Sequence, residues 1–490
     1  MNEQNGGIVD EKKEYGAVIK KYIEAHRQEI IDDLFGLMRI DSAYTEEGKD
    51  AEHPFGAGSA KALAAGSELL SRYGFSVKNY DNYVITADLG GSERELDILA
   101  HLDVVPAGEG WTVTEPFKPV LTPEGVIYGR GSADDKGPAI AAMYAFRAIK
   151  DLNIPLRKNA RLILGGCEEL GLGDMEYYFE REPHARYSFS PDADYPLINA
   201  ERGISGTEII KKFSRGEADA SPIRSIHAGL RRNMVPFSAV IVIDADKAEV
   251  SASQVAAKAA EVASKYGLGL DIRTEGEKIT IDVRGLGAHA STPEAGLNSL
   301  TCLMEIVSGL PFTDPVSELI SRLSKLYPFG VHHGEAAGID MEDEISGRIS
   351  SSFNVTHYDS DKGEFNALID SRVPAMACED NFMGPLKQRI LAAGADEVNI
   401  SLNPCHYVPK DSEFVQKLLK SYKKITGDNA AEPFAIGGGT YVHTIDNGVA
   451  FGCAMPGVDN RMHGPDEFML LDVLLKSIEI FADAIIAICG

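Results

Sequence analysis

A handful of short segments carry the side chains that could do chemistry, and their residue types point one way. His101-Leu102-Asp103 ends an apolar run with an imidazole and sets a carboxylate two residues on, near enough to bond the second ring nitrogen and fix its tautomer. That suits a metal ligand, although a histidine at a strand end is also an ordinary loop residue. Gly129-Arg130-Gly131-Ser132-Ala133-Asp134-Asp135-Lys136-Gly137 places two adjacent carboxylates in a glycine-rich turn before a helix. Asp134 could bridge two cations, or the pair could cap the helix by accepting its first N–H groups. Gly165-Gly166-Cys167-Glu168-Glu169 brings a second carboxylate pair to the end of another apolar run, where like charges so close are costly unless something positive holds them. One glutamate would then ligate a metal while the other takes the proton from an attacking water, as in metal-assisted hydrolysis. Cys167 offers a rival nucleophile, but no partner constellation supports it and a small buried residue is the simpler reading. Asp192, in Ser188-Phe189-Ser190-Pro191-Asp192-Ala193, and His463, in Arg461-Met462-His463-Gly464-Pro465, are turn residues when taken singly. With His101, Asp134 and Glu169 they complete a nitrogen and oxygen donor set for two divalent ions, each with one imidazole and one terminal carboxylate and Asp134 shared. Such a set suits Zn²⁺ or Mn²⁺.

These segments need a scaffold that delivers them to one place. The runs over 96–100 and 161–165 are short and mostly apolar, with a helical stretch over 139–150 between them, the alternation of an α/β sheet. In such sheets functional residues gather beyond the carboxyl ends of the strands, and both His101 and Glu168 follow a strand end. Upstream, apolar residues at Val18, Ile19, Tyr22, Ile23, Ile30, Leu34 and Leu37 predict an amphipathic helix from Tyr15 onward. After Glu201 the pattern changes: strands over 239–243 and 279–283 alternate with helices over 253–266 and 297–310, which reads as a separate α+β domain. From about Tyr407 a helix over 412–426 and an apolar strand over 448–452 could rejoin the first domain. The expected organisation is a catalytic α/β domain with a mostly parallel central sheet, built from 1–201 and 405–490, and an inserted α+β domain over 202–404.

With 490 residues the chain is long enough for two such domains. Apolar residues at 44% and charged residues at 25% are the balance of a globular protein and not of a disordered one. The formal charge of -26 repels phosphate backbones and anionic membrane surfaces, so neither nucleic acid nor membrane is an expected partner. The six cysteines are scattered without a Cys-x-x-Cys, which argues against a zinc ribbon or a disulfide framework and fits a cytoplasmic setting. The polar stretch 1–13 lacks the apolar core of a signal peptide, and no run approaches a membrane span.

Taken in order, the segments resemble the family of aminoacylases, acetylornithine deacetylases, succinyl-diaminopimelate desuccinylases, carnosinases and carboxypeptidase G, over essentially the whole chain. The nearest likeness is to PepV-type dipeptidases, through His101-Leu102-Asp103-Val104-Val105-Pro106, the 129–138 segment, Phe189-Ser190-Pro191-Asp192-Ala193 and Gly448-Val449-Ala450-Phe451-Gly452. The resemblance implies that His101 and Asp192 hold one metal, Glu169 and His463 the other, with Asp134 bridging and Glu168 as base. It implies a lid for the inserted domain, with His289, in Gly287-Ala288-His289-Ala290-Ser291, stabilising the oxyanion. Asn233 and Arg372 then look like lid residues that hold substrate, and Gly438, Gly439 and Thr440 like a loop that meets its carboxylate through backbone N–H groups. An enlarged lid within one chain implies a functional monomer. The expected activity is hydrolysis of unblocked dipeptides, with N-acyl-amino-acid deacylation as the alternative. Cys167 and Leu170 depart from residues common in the family and leave the preferred side chains of the substrate open.

Overall fold

The computed structural model describes residues 8–490 except Glu47, Ser92 and Glu249, with side chains described from Tyr15 onward, so most of the polar stretch 1–13 lies outside the described residues. Two compact units emerge. The first runs up to Ala200 and takes in Val408–Phe434 and Gly439–Gly490; the second is Glu201–Tyr407 with Ala435–Gly438.

In the first unit the sheet order begins Val77–Tyr80, Val84–Asp88, Asn159–Gly165, Arg94–His101, Tyr187–Ser190, Gly448–Ala450. Its centre is parallel: Arg94–His101 pairs in parallel with both Asn159–Gly165 and Tyr187–Ser190, and Gly448–Ala450 continues in parallel beside Tyr187–Ser190. The first two strands are antiparallel, which makes the sheet mixed. Central strands of this kind are buried on both faces and therefore read as near-continuous apolar runs, as Leu96 to Ala100 does apart from the buried Asp97. The helices Lys136–Asp151 and Leu471–Cys489 pack together in the surrounding core, and the first of them is buried on almost every side. This is the expected α/β architecture, with four parallel strands running to the same edge of the sheet.

The opening helix differs from the expectation. It divides into Ile8–Ala25 and Arg27–Met38, and Val18 is exposed. His26 sits between the two with φ -103° and ψ 8°, its Nδ1 bonded to the Tyr22 carbonyl at 2.8 Å and its ring stacked on that of Tyr22. A side chain that binds the backbone of the preceding turn competes with helix continuation, which the apolar spacing does not register.

The second unit is built on an eight-stranded sheet, ordered Gly269–Glu275, Lys278–Arg284, Ser238–Asp244, Ile223–Ala228, Ser350–Asp359, Glu364–Val373, Gly203–Lys212, Glu397–Asn403, antiparallel throughout. Burial alternates along Lys278–Arg284 and Ser238–Asp244, the sign of a sheet covered on one face. The helices Ala252–Tyr266, Ser299–Ser308, Pro315–Leu326 and Gly384–Ala393 share the core on the covered side. Gly267 closes the first of these with φ +71°, a left-handed position where glycine avoids the Cβ penalty.

Candidate active site

The parallel strands deliver the chemistry. His101 is the last residue of its strand and lies in register with Gly165, so the turn carrying Cys167, Glu168 and Glu169 begins beside it. Tyr187–Ser190 ends two residues before Asp192 on the next strand over. Two groups of side chains result, each able to hold a metal ion: His101, Asp134 and Asp192, and Asp134, Glu169 and His463, with ligand atoms in each within 4.8 Å of one another. Asp134 belongs to both. Its Oδ1 is 3.1 Å from His101 Nε2 and its Oδ2 is 2.9 Å from His463 Nε2. Asp192 Oδ2 stands 3.6 Å from His101 Nε2, and Glu169 Oε2 3.3 Å from His463 Nε2.

The donor chemistry fits divalent cations. His101 is fully buried, and its Nε2 makes no hydrogen bond among the described residues, although three carboxylates crowd the site. A buried ring nitrogen with carboxylates beside it but no well-directed hydrogen bond needs an explanation, and a cation between imidazole and carboxylates supplies one. Electrostatics agree. Burial opposes charge on His101, yet Asp103, Asp134 and Asp192 outweigh it and raise its pKa well above the ordinary value. Burial likewise opposes the charge on His463, but Asp134 and Glu169 push its pKa up to about 11. Burial and then Asp134 push Glu169 up to about 7. For Glu168 burial is the largest cause of a strongly raised pKa, with Asp192, Glu169 and Asp134 adding to it. Each group is asking for positive charge.

Around this set the backbone is pinned by carboxylates. Asp103 accepts from Glu168 N at 3.1 Å through Oδ1 and from Glu169 N at 3.2 Å through Oδ2, and Oδ1 lies 3.3 Å from His101 Nδ1. It therefore orients the imidazole and holds the glutamate turn. Asp174 accepts from Cys167 N at 2.8 Å and from the Tyr441 hydroxyl at 2.5 Å. Glu467, fully buried, accepts from Arg130 Nη1 at 2.6 Å, Ala133 N at 2.8 Å, Gly131 N at 3.1 Å and Asp134 N at 3.2 Å. Asp134 is thus presented by a loop wrapped around one carboxylate. The capping alternative for Asp134 and Asp135 does not hold: Asp135 occupies the helix N-cap without a capping bond, and its Oδ2 accepts from His101 N at 2.9 Å.

His463 arrives differently, on a loop in which Arg461, His463 and Asp466 all have positive φ without being glycine. Such residues carry backbone strain that surrounding contacts must hold. Asp466 supplies them, accepting from Thr112 N at 2.8 Å and Val113 N at 2.9 Å. Cys167 is buried, and burial with Asp103 and Asp174 drives its thiol pKa far up, so it is no thiolate nucleophile.

The remaining sequence candidates lie mostly in the second unit. His289 pairs with Met234 in a two-stranded ribbon, and Asn233 O accepts from Ala290 N at 2.9 Å, so these two are neighbours. The Nδ1 of His289 is 2.7 Å from Ser291 Oγ. Arg372, nearly buried, donates to Asp370 Oδ1 at 2.7 Å and to the Gly437 carbonyl at 2.8 Å. Gly438 ends the second unit's part of the glycine run, whereas Gly439 and Thr440 belong to the first, where Thr440 Oγ1 accepts from Val442 N.

Comparison with known proteins gives the chain a family. Residues 98–487 match the model of peptidase family M20/M25/M40, and the chain belongs to that family. It is a peptidase. The Beta-Ala-Xaa dipeptidase of Lactobacillus delbrueckii subsp. lactis is 34% identical over 469 residues, spanning 95% of this chain and 97% of the relative. Among solved structures, human carnosine dipeptidase 1 has a TM-score of 0.57 at 17% identity, covering 96% of this chain and 98% of its own. The di-peptidase Dug1p from Saccharomyces cerevisiae has 0.58 at 14%, with the same coverage. At such identities these two likenesses speak for the fold.

Proposed function

We propose that the protein is a dinuclear metal-dependent dipeptidase that hydrolyses unblocked dipeptides. The observation that carries this reading is the single carboxylate of Asp134 set between two imidazoles, each of which has its own second carboxylate. His101 and Asp192 would hold one ion, Glu169 and His463 the other, with Asp134 common to both. Zn²⁺ is the first expectation and Mn²⁺ the alternative. When bound, the ions supply Lewis acidity that polarises the scissile carbonyl and acidifies a water.

The protein's own groups do the rest. Glu168 takes the proton of the attacking water on its carboxylate and returns it to the leaving amine, the role that its place beside the ligand Glu169 suits. Asp103 keeps His101 in one tautomer and holds the Glu168 backbone. In the same reading the inserted unit is a lid: His289 steadies the oxyanion, while Asn233, Arg372 and the Gly438-Gly439-Thr440 loop receive the substrate. The dipeptide class is supported by the Lactobacillus relative. The enzyme would act as a cytoplasmic monomer; among the described residues no helix is long and apolar enough to cross a membrane.

The test is to strip the protein of metal, restore Zn²⁺ or Mn²⁺ in separate samples, and measure amino-acid release from unblocked dipeptides and their N-acetylated counterparts. Metal-dependent cleavage of the unblocked set is the expected result. A preference for the acylated set would move the enzyme to the deacylases, and no turnover with either ion would defeat the reading.

A further inference from the structure

Well apart in sequence from the metal-ligand candidates, a second pair of imidazoles meets on the eight-stranded sheet of the second unit. His227 and His357 are directly opposed in the antiparallel register of Ile223–Ala228 and Ser350–Asp359. Both side chains are exposed, and their Nδ1 atoms are 3.0 Å apart, with ring centroids at 5.2 Å. The two strands are the fourth and fifth of the eight, each also hydrogen-bonded on its outer side, to Ser238–Asp244 and Glu364–Val373 respectively. Both Cα positions are therefore fixed by ladders on two sides, which keeps the two rings within reach of each other before any ligand arrives. Their ladder neighbours are Val240 beside His227 and Asn366 beside His357, neither of which offers a charge to pair with an imidazolium.

Two ring nitrogens at this separation are compatible with one shared proton or with one shared cation. Burial, and then the other imidazole, hold His357 below its ordinary pKa, which favours the neutral ring that ligates metals. The spacing bears on which ions the pair suits first. With metal–nitrogen bonds of about 2.0–2.1 Å, cis ligands at a right angle lie about 2.8–3.0 Å apart and tetrahedral ligands about 3.3–3.4 Å apart. The observed 3.0 Å matches the tetragonal geometry as it stands. We infer that His227 and His357 form a cross-strand bis-imidazole site for a divalent transition-metal ion of tetragonal preference, Cu²⁺ before Ni²⁺, with Zn²⁺ taken after a small opening of the pair. Water completes the coordination. Such an ion joins the two four-stranded halves of the sheet at their seam, and this site stands independently of the peptidase centre.

The test uses the intact protein and Cu²⁺ as probe, comparing wild type with His227→Gln, His357→Gln and the double variant. The first-unit centre is common to all four, so differences report on this pair alone. Expected are one additional Cu²⁺ per wild-type chain, two equatorial nitrogens in its paramagnetic resonance spectrum, and affinity at least tenfold weaker in each single variant. Thermal stability of the wild type should also rise with Cu²⁺ more than that of the double variant. Because both side chains are exposed, the variants should fold and keep their peptidase activity. Equal Cu²⁺ stoichiometry and affinity in wild type and double variant would overturn the inference, as would a wild-type affinity no better than that of a single variant.

Discussion

Glu467 offers the sharpest test of how the centre is held. It is fully buried, its partner Arg130 is 1% exposed, and its two oxygens gather the guanidinium and three backbone N–H groups of 131–134. Replacing it by methionine keeps the volume and removes every acceptor. Breaking one side of a buried ion pair costs about 3–5 kcal/mol. Each N–H left without a partner costs about 1–3 kcal/mol, but these overlap with the pair because loop and guanidinium relax together. We expect Glu467→Met to lose about 3–5 kcal/mol in urea unfolding, measured with a chelator present so that metal linkage does not enter. For a unit of about 280 residues, whose unfolding entropy is about 0.6 kcal/mol/K, that is a fall in Tm of about 5–9 °C. Arg130→Met together with Glu467→Met removes the unpaired guanidinium and should cost less than Glu467→Met alone, because an apolar pair replaces a buried ionic one. A single variant within about 1 kcal/mol of wild type, or a double variant whose loss is the sum of the two singles, would refute the reasoning.

Three further outcomes are expected. Glu168→Ala should bind two ions by calorimetry like the wild type while kcat falls by about 10²–10⁴. Asp97 is buried in the first unit, 3.3 Å from Arg94 Nε, and burial raises its pKa from 3.8 to about 6. The native state then keeps a proton that the unfolded chain has lost, so its contribution to stability falls by about 3 kcal/mol as pH rises from about 4 to 6. Asp97→Asn should abolish that slope and stabilise the protein at pH 7, and parallel stability–pH curves for variant and wild type would contradict this. Gly165→Ala would set a Cβ 2.1 Å from Tyr441 Oη and 2.3 Å from Asp174 Oδ2. It should break that hydrogen bond and weaken metal binding, read by chelator competition.

Which parts of this arrangement the sequence discloses follows from how local each signal is. His101, Glu168 and Glu169 stand at or just beyond the ends of mostly apolar strands, so alternation of strand and helix already sends them to one edge of a sheet, whereas Asp192, after the half-polar Tyr187–Ser190, reads only as a turn residue. Asp134 sits in a turn whose glycines advertise close packing. Pairing these with His463, and assigning roles to His289, Asn233 and Arg372, rests on resemblance, because nothing local marks them. The carboxylates that hold the site escape detection for the same reason: Asp174 meets Tyr441 across 267 positions, and Glu467 meets Arg130 across 337. In sequence each is an acidic residue shortly after a glycine or proline, with nothing local to separate it from a solvated one. Asp135 illustrates a subtler limit, since its place at a helix start suggests capping while its side chain turns to the His101 backbone.

The inserted unit also imposes an order on synthesis. Four of the five ligand candidates leave the ribosome before the second unit begins, but the strand Gly448–Ala450, which lies beside Tyr187–Ser190, and the His463 loop follow it. At about 5–20 residues per second the interval from Asp192 to His463 lasts on the order of tens of seconds. Throughout it the nascent chain holds clustered carboxylates, an incomplete sheet and only one of the two imidazoles. With His463 as a ligand, as proposed, the centre is incomplete until that loop emerges, and the same interval leaves an open strand edge that a chaperone or the later strand itself must cover.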